Sequence, residues 1–173
     1  MLFLVATPIG NLAELTPRSL EVLQSVDVIF CEDTRHFGKL KNHFAIDTPT
    51  QSFHQGSDPE KILHVLRDGK SAALVCDAGV PTISDPGYRL VRSVIDSDFE
   101  VSPIGINSAF LAAVICSGFD PSRFQFWGFV PHKKGRQTFI TQLAETAETI
   151  VFYESSHRIV KLLEQIADTE VTW

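Results

Sequence analysis

Residues 74–88 read LVCDAGVPTISDPGY. A strand-like run, Leu74-Val75-Cys76, enters a segment that holds Gly79, Pro81, Pro86 and Gly87, with aspartates at Asp77 and Asp85. A single Gly or Pro usually suffices to reverse a chain, so this many constraints hold the backbone in one particular shape. Ala78 and Gly79 allow close approach of a ligand to the main chain, while Pro81 and Pro86 restrict the loop. Such a turn suits an uncharged or zwitterionic group read by backbone atoms.

Outward from this stretch, short apolar runs alternate with amphipathic segments. The runs are Leu2 to Ala6, Val26 to Cys31, Ala72 to Cys76 and Phe99 to Ile104, each of strand length and mostly apolar. Between them, Ser19 to Val26, Asp58 to Asp68, Tyr88 to Ile95 and Ser108 to Cys116 space their apolar residues as helices do. The alternation predicts an α/β domain, an open parallel sheet with flanking helices on both faces. At SGFDPSR, residues 117–123, Gly118, Pro121 and two serines interrupt the pattern. We therefore expect an N-terminal domain over 1–118 and a second α/β domain over 119–173. The second would hold strands at Phe124 to Val130 and Thr149 to Tyr153, helices at Gln137 to Ala144 and Ser156 to Ile166, and the start of a strand at Glu170 to Trp173. So small a unit buries little surface, and the second domain reads as incomplete.

Composition bounds the function. The chain has 173 residues, 44% hydrophobic and 21% charged, which is ordinary for a globular protein with a real core. The longest apolar runs fall well short of the ~20 residues of a membrane span. The N-terminal MLFLVATPIG lacks the basic region and small-residue cleavage site of a secretory signal. Cys31, Cys76 and Cys116 lie far apart and read as buried thiols in a reducing compartment, the cytoplasm. A formal charge of -6 argues against non-specific nucleic-acid binding. Local basic clusters remain at His132-Lys133-Lys134-Gly135-Arg136 and around Arg35-His36.

Ligands of open α/β sheets bind beyond the carboxyl ends of the strands, so the loops there carry the function. TPIGN, residues 7–11, lacks a dinucleotide fingerprint, and Pro8 removes an amide that could cradle a phosphate. GINSA, residues 105–109, resembles a helix start capped by Asn107 or Ser108. EDTRH, residues 32–36, offers two carboxylates, a hydroxyl, a guanidinium and an imidazole, suited to acid/base work or to a polyanion. The competing reading is a helix start with Asp33 as cap. His43, His54 and His64 read as solvated. No cluster has metal-ligand spacing, and neither a nucleophile elbow nor a Walker loop is present.

VATPIGNL, CEDTRH, LVCDAGVPTISDPGYRLV, FWGFVPHKKGR and FYESSHR, in that order, resemble the ribosomal RNA small subunit methyltransferase I family of the tetrapyrrole methylase superfamily. The resemblance runs from about Leu4 to Arg158. It implies an S-adenosyl-L-methionine-dependent enzyme that methylates the ribose 2′-hydroxyl of a cytidine in small-subunit ribosomal RNA, and a homodimer of two-domain subunits. By this resemblance Asp77, Ala78, Gly79, Val80, Ile83 and Ser84 line the cofactor pocket, closed by Pro8, Ser108 and Ala109. Glu32, Asp33 and His36 become the candidate bases, with Asp77 behind them. Arg35, Lys133, Lys134 and Arg136 become the groups that position RNA phosphates. Asp85 and Gly87 read as a cap and turn into the following helix.

The chain departs from the family in three places. Gly105-Ile106-Asn107-Ser108-Ala109 stands where the family has P-G-P-S-A and is closer to the small-molecule tetrapyrrole methylases. Tyr153-Glu154-Ser155-Ser156-His157-Arg158 lacks the family's helix-initiating proline. Members of the family also continue beyond the point where this chain stops, so a truncated chain is expected. The rival readings are a small-molecule methylase of the same fold and a non-catalytic interaction module.

Overall fold

The computed structural model describes residues 1–85 and 87–169, and it divides into two compact units, Met1–Ser108 and Ala109–Trp173. The expectations for Pro86 and for a strand at Glu170 to Trp173 lie outside the described residues. The first unit is a five-stranded sheet built from β1 (Leu2–Val5), β2 (Val28–Cys31), β3 (Thr50–Ser52), β4 (Ala72–Leu74) and β5 (Val101–Ile104). The strand order is β3-β2-β4-β1-β5, and every pairing is parallel.

Alternation along each strand feeds two cores. Ile29 and Cys31 with Ala73 and Val75 face one side, where they pack with Val22 and Leu23 of α1 (Pro17–Ser25) and Phe37 and Leu40 of α2 (Thr34–His43). Val28 and Phe30 with Ala72 and Leu74 face the other, against Ile62, Leu63 and Leu66 of α3 (Glu60–Arg67) and Leu90 and Val94 of α4 (Tyr88–Asp96). Each fully buried Leu, Ile or Phe contributes roughly 1.5–3 kcal/mol by leaving water. Both faces are thus covered by helices, as the apolar strands require.

Local chemistry sets the element ends. Thr16 caps α1 by accepting from Ser19 N at 3.0 Å, with Pro17 in the first turn. Asp33 caps α2 in the same way. β3, sequence TQS, is the strand that apolar periodicity did not reveal: it is a three-residue edge strand with two exposed positions.

The second unit starts at Ala109 with α5 (Ala109–Ser117), ten residues before the break expected from composition. Phe110 stacks on Phe126, with ring centroids 4.3 Å apart, which explains why α5 groups with the strands that follow it. β6 (Phe124–Phe129) and β7 (Thr149–Tyr153) pair in parallel. α6 (Arg136–Glu145) and α7 (Ile159–Ala167) contribute Phe139, Ile140, Leu162 and Ile166 to a third core. Cys31 and Cys76 are buried as expected, but Cys116 is exposed on α5, a helix that is apolar all round and buries only Val114. Among the described residues no helix is long and apolar enough to cross a membrane.

Candidate functional site

The strand order places a switch point at the carboxyl ends of β1 and β4, because the chain leaves β1 toward β2 and leaves β4 toward β5 on the opposite side. Loops from β1, β4 and β5 are tied together there. Thr7 N donates to Gly79 O at 2.9 Å, and Gly79 N donates to Thr7 O at 3.2 Å. The Thr7 hydroxyl donates to the Cys76 carbonyl at 3.1 Å, and Asn107 Nδ2 donates to Thr7 O at 3.3 Å. Half-buried Pro8 and Asn107 and buried Gly79 are thereby gathered at one spot.

The punctuation of residues 74–88 now has a physical cause. Gly79 adopts φ +92°, and a Cβ there would lie 3.2 Å from the Asn107 carbonyl oxygen. Thr82 and Ser84, both non-glycine, sit at φ 77° and 59°. Left-handed residues of this kind cost of order 1–3 kcal/mol each and concentrate at ligand clamps. Gly87 closes the segment at φ +138°, where a Cβ would lie 3.0 Å from Thr82 Cγ2 and 3.1 Å from Leu74 Cδ2. Asp77, Ala78, Ile83 and Ser84 are exposed and Val80 is half-buried. Ser108 Oγ is buried without a hydrogen-bond partner among the described residues, an unmet demand that a ligand would satisfy. Ala109 opens the second unit.

The EDTRH residues divide by role. Asp33 Oδ1 accepts from Arg35 N at 2.8 Å and His36 N at 3.4 Å, while Oδ2 accepts from Arg35 Nη2 at 3.0 Å. The Arg35 guanidinium and these amides hold the Asp33 carboxyl down at about 2. Asp33 is therefore the helix cap, and so acidic a carboxyl is a poor proton acceptor. Arg35 is paired to it, whereas Glu32 and His36 are exposed and project from the end of β2 and the first turn of α2.

Asp85 departs from its expected role. The cap of α4 is Gly87, with no side-chain cap bond. Half-buried Asp85 instead has its pKa raised, first by burial, while the Cys76 thiol beside it pulls the other way and Glu32 and Asp77 add repulsion. Burial likewise pushes the Cys76 thiol up to about 12 and the Cys31 thiol to about 11, so neither is a nucleophile.

In the second unit Lys133 and Lys134 are exposed in the turn before α6. Arg136 is not available with them: its Nη1 donates to Glu154 Oε2 at 3.1 Å and to Pro131 O at 3.3 Å, and its Nε to Gln165 at 2.8 Å. The Glu154 side chain is only 1% exposed and is also paired with Arg158. Burial alone would raise the Glu154 carboxyl, but the Ser155 amide and the two arginines outweigh it and lower its pKa. The end of the PHKKGR motif and YESSHR are thus two halves of one buried ion cluster, a link that sequence spacing did not reveal.

The architecture is that of a tetrapyrrole methyltransferase. It superposes on the crystal structure of uroporphyrin-III C-methyltransferase from Thermus thermophilus with a TM-score of 0.65 at 15% identity, covering 96% of this chain and 73% of that one. The family model for tetrapyrrole (corrin/porphyrin) methylases matches residues 1–172, and the chain belongs to that family. It is 46% identical over 170 residues to the ribosomal RNA small subunit methyltransferase I of Synechocystis, covering 96% of this chain and 61% of the relative. It is 43% identical over 172 residues to the protein of that name from Bacillus subtilis, covering 97% of this chain and 59% of the relative. The chain spans about three fifths of the length of these curated relatives.

Proposed function

We propose that this chain carries the S-adenosylmethionine site of an enzyme that methylates the ribose 2′-hydroxyl of a cytidine in small-subunit ribosomal RNA. The observation that carries the reading is the crown of Thr7, Gly79 and Asn107, with the unpartnered Ser108 hydroxyl next in the chain, in a member of a methylase family whose similar relatives are named for ribosomal RNA. The residues fit the cofactor: a glycine at φ +92° keeps the loop free of a side chain, and Ser108 Oγ lacks a partner among the described residues. Pro8, Ala78, Gly79, Val80, Ile83, Ser84, Ser108 and Ala109 would hold it, with Asp77 at the mouth. When bound, S-adenosylmethionine supplies a methyl group already activated on a sulfonium.

The protein's own task is to orient the ribose hydroxyl and to take its proton. Orientation alone is worth several kcal/mol of barrier. Glu32 and His36 are the proton acceptors, since Asp33 is held near 2. Lys133 and Lys134 attract the RNA backbone, and the enzyme works as a cytoplasmic homodimer. The apolar side chains exposed on and beside α5, Leu111, Ile115 and Phe119, supply a surface for self-association.

Calorimetric titration of the chain with S-adenosylmethionine, beside an Asp77→Ala, Gly79→Val double variant, tests the cofactor site. Saturable binding lost in the variant supports it, and equal binding by both overturns the assignment. Mapping of ribose methylation on small-subunit RNA incubated with the protein tests the substrate, and methylation of a base instead would refute the ribose reading.

A further inference from the structure

A cleft of about 410 Å³ lies within the first unit between the segment after β3 and the first turn of α4, and Thr7, Gly79 and Asn107 of the crown are not among its lining residues. Phe53, His54, Pro59, Asp85, Tyr88 and Arg89 line it. Its size falls in the range of roughly 300–1,000 Å³ typical of small-ligand sites.

Two adjacent residues on this cleft are conspicuous for what they lack. Arg18, Arg35, Arg67, Arg92, Arg123, Arg136 and Arg158 each hold a carboxylate at ion-pair distance. Arg89 is exposed and has no such partner among the described residues. Tyr88, its neighbour, is 74% exposed, a large aromatic face left in water at the start of a helix whose Leu90 and Val94 are buried. An exposed aromatic beside a free guanidinium is the pair that binds single-stranded nucleic acid, the ring stacking on a base and the cation meeting a phosphate.

The other walls agree with that ligand. His54 Nδ1 accepts from Gly56 N at 3.3 Å, so the neutral ring carries its proton on Nε2 as a donor. Asp85 is half-buried, and an ionised carboxylate only accepts hydrogen bonds. A ribose 2′-hydroxyl is the donor that RNA has and DNA lacks. Gly87 and Tyr88, the start of α4, also line the cleft, so the positive end of the helix dipole lies there beside Arg89, and among the described residues no side chain caps it.

We propose that this cleft seats one nucleotide of a single-stranded RNA, its base stacked on Tyr88, its phosphate at Arg89 and its ribose hydroxyl facing Asp85. The proposal rests on the RNA reading above and names where on the first unit the RNA is held.

The test is fluorescence anisotropy of a short labelled single-stranded oligoribonucleotide titrated with the 173-residue chain, with Tyr88→Ala and Arg89→Ala variants, across a salt series. Both side chains are exposed, and thermal melts confirm that the variants stay folded. Tyr88→Ala weakens binding by about 5- to 150-fold, the range that alanine substitution of a stacking aromatic produces, and leaves the salt slope unchanged. Arg89→Ala lowers the magnitude of the slope of log K against log salt by about 0.7, one phosphate contact on a single strand. The wild type prefers RNA to DNA of the same sequence, and Asp85→Asn narrows that preference. Wild-type RNA affinity in both variants overturns the cleft while leaving the RNA reading intact. No RNA binding by the folded wild type overturns both. Loss of S-adenosylmethionine binding in Tyr88→Ala, with RNA affinity unchanged, gives the cleft to the cofactor and refutes the proposal.

Discussion

Replacing Glu154 by Gln or Ala removes the anion from a cluster that two arginines share. The Glu154 side chain is 1% exposed, Arg136 12% and Arg158 26%. Breaking a buried ion pair from one side costs about 3–5 kcal/mol, because the remaining charge stays desolvated without compensation. Two features pull this case to the low end. Arg136 keeps Gln165 at 2.8 Å and Pro131 O at 3.3 Å as acceptors, and Arg158 is exposed enough to recruit water. We therefore expect a loss of about 3 kcal/mol, a large share of the ~5–15 kcal/mol that holds a domain folded. With a urea m-value of ~2 kcal/mol/M the unfolding midpoint falls by about 1.5 M. The assay is urea unfolding followed by NMR cross-peaks of the second unit. Glu148→Ala serves as the control: the Arg123–Glu148 pair is 84% and 37% exposed, so its loss costs under about 1 kcal/mol. If Glu154→Gln and Glu148→Ala shift the midpoint equally, the cluster is not the anchor of this unit.

The same carboxylate predicts a pH signature. Its pKa is lowered in the folded protein, so its contribution is full above the ordinary glutamate value of 4.5 and fades as pH falls through the folded value. The stability gap between wild type and Glu154→Gln should hold at neutral pH and shrink below about pH 4.5, and a gap that stays constant into stronger acid contradicts this. Gly79→Ala alone, at φ +92°, should weaken S-adenosylmethionine binding at least about tenfold, that is 1.4 kcal/mol, by straining the loop against Asn107; unchanged calorimetric affinity would show that the loop does not touch the cofactor. Thr16→Ala should cost about 1 kcal/mol through loss of the α1 cap, read from thermal melts. A Lys133→Ala, Lys134→Ala variant should lower the salt slope of RNA binding by up to about 1.4, and a slope that does not move would take these lysines off the RNA path.

What the sequence revealed and what it hid follow from the range of the interactions concerned. The strands β1, β2, β4 and β5 announced themselves because a parallel sheet covered on both faces needs near-continuous apolar runs, and Val28 to Cys31 is buried at every position. β3 stayed hidden for the converse reason, since an edge strand of Thr, Gln and Ser has little to bury. The DAG turn was legible because glycine and proline report backbone shape locally, and Gly79 and Gly87 both adopt positive φ, with a neighbour that would crowd a Cβ. Side-chain allegiance was not legible. Whether Arg136 meets a phosphate or a carboxylate depends on Glu154, eighteen residues away, brought to it by the packing of α6 and α7 beside β7. Asp33 illustrates the other limit: the features that made it attractive as a base, a strand end and a neighbouring arginine, are those that make it a cap and hold its proton affinity down. A strand-end carboxylate is thus a candidate base only where nothing local already uses its lone pairs. By that criterion Glu32, with no such bond among the described residues, is a better acceptor than the capping Asp33 beside it.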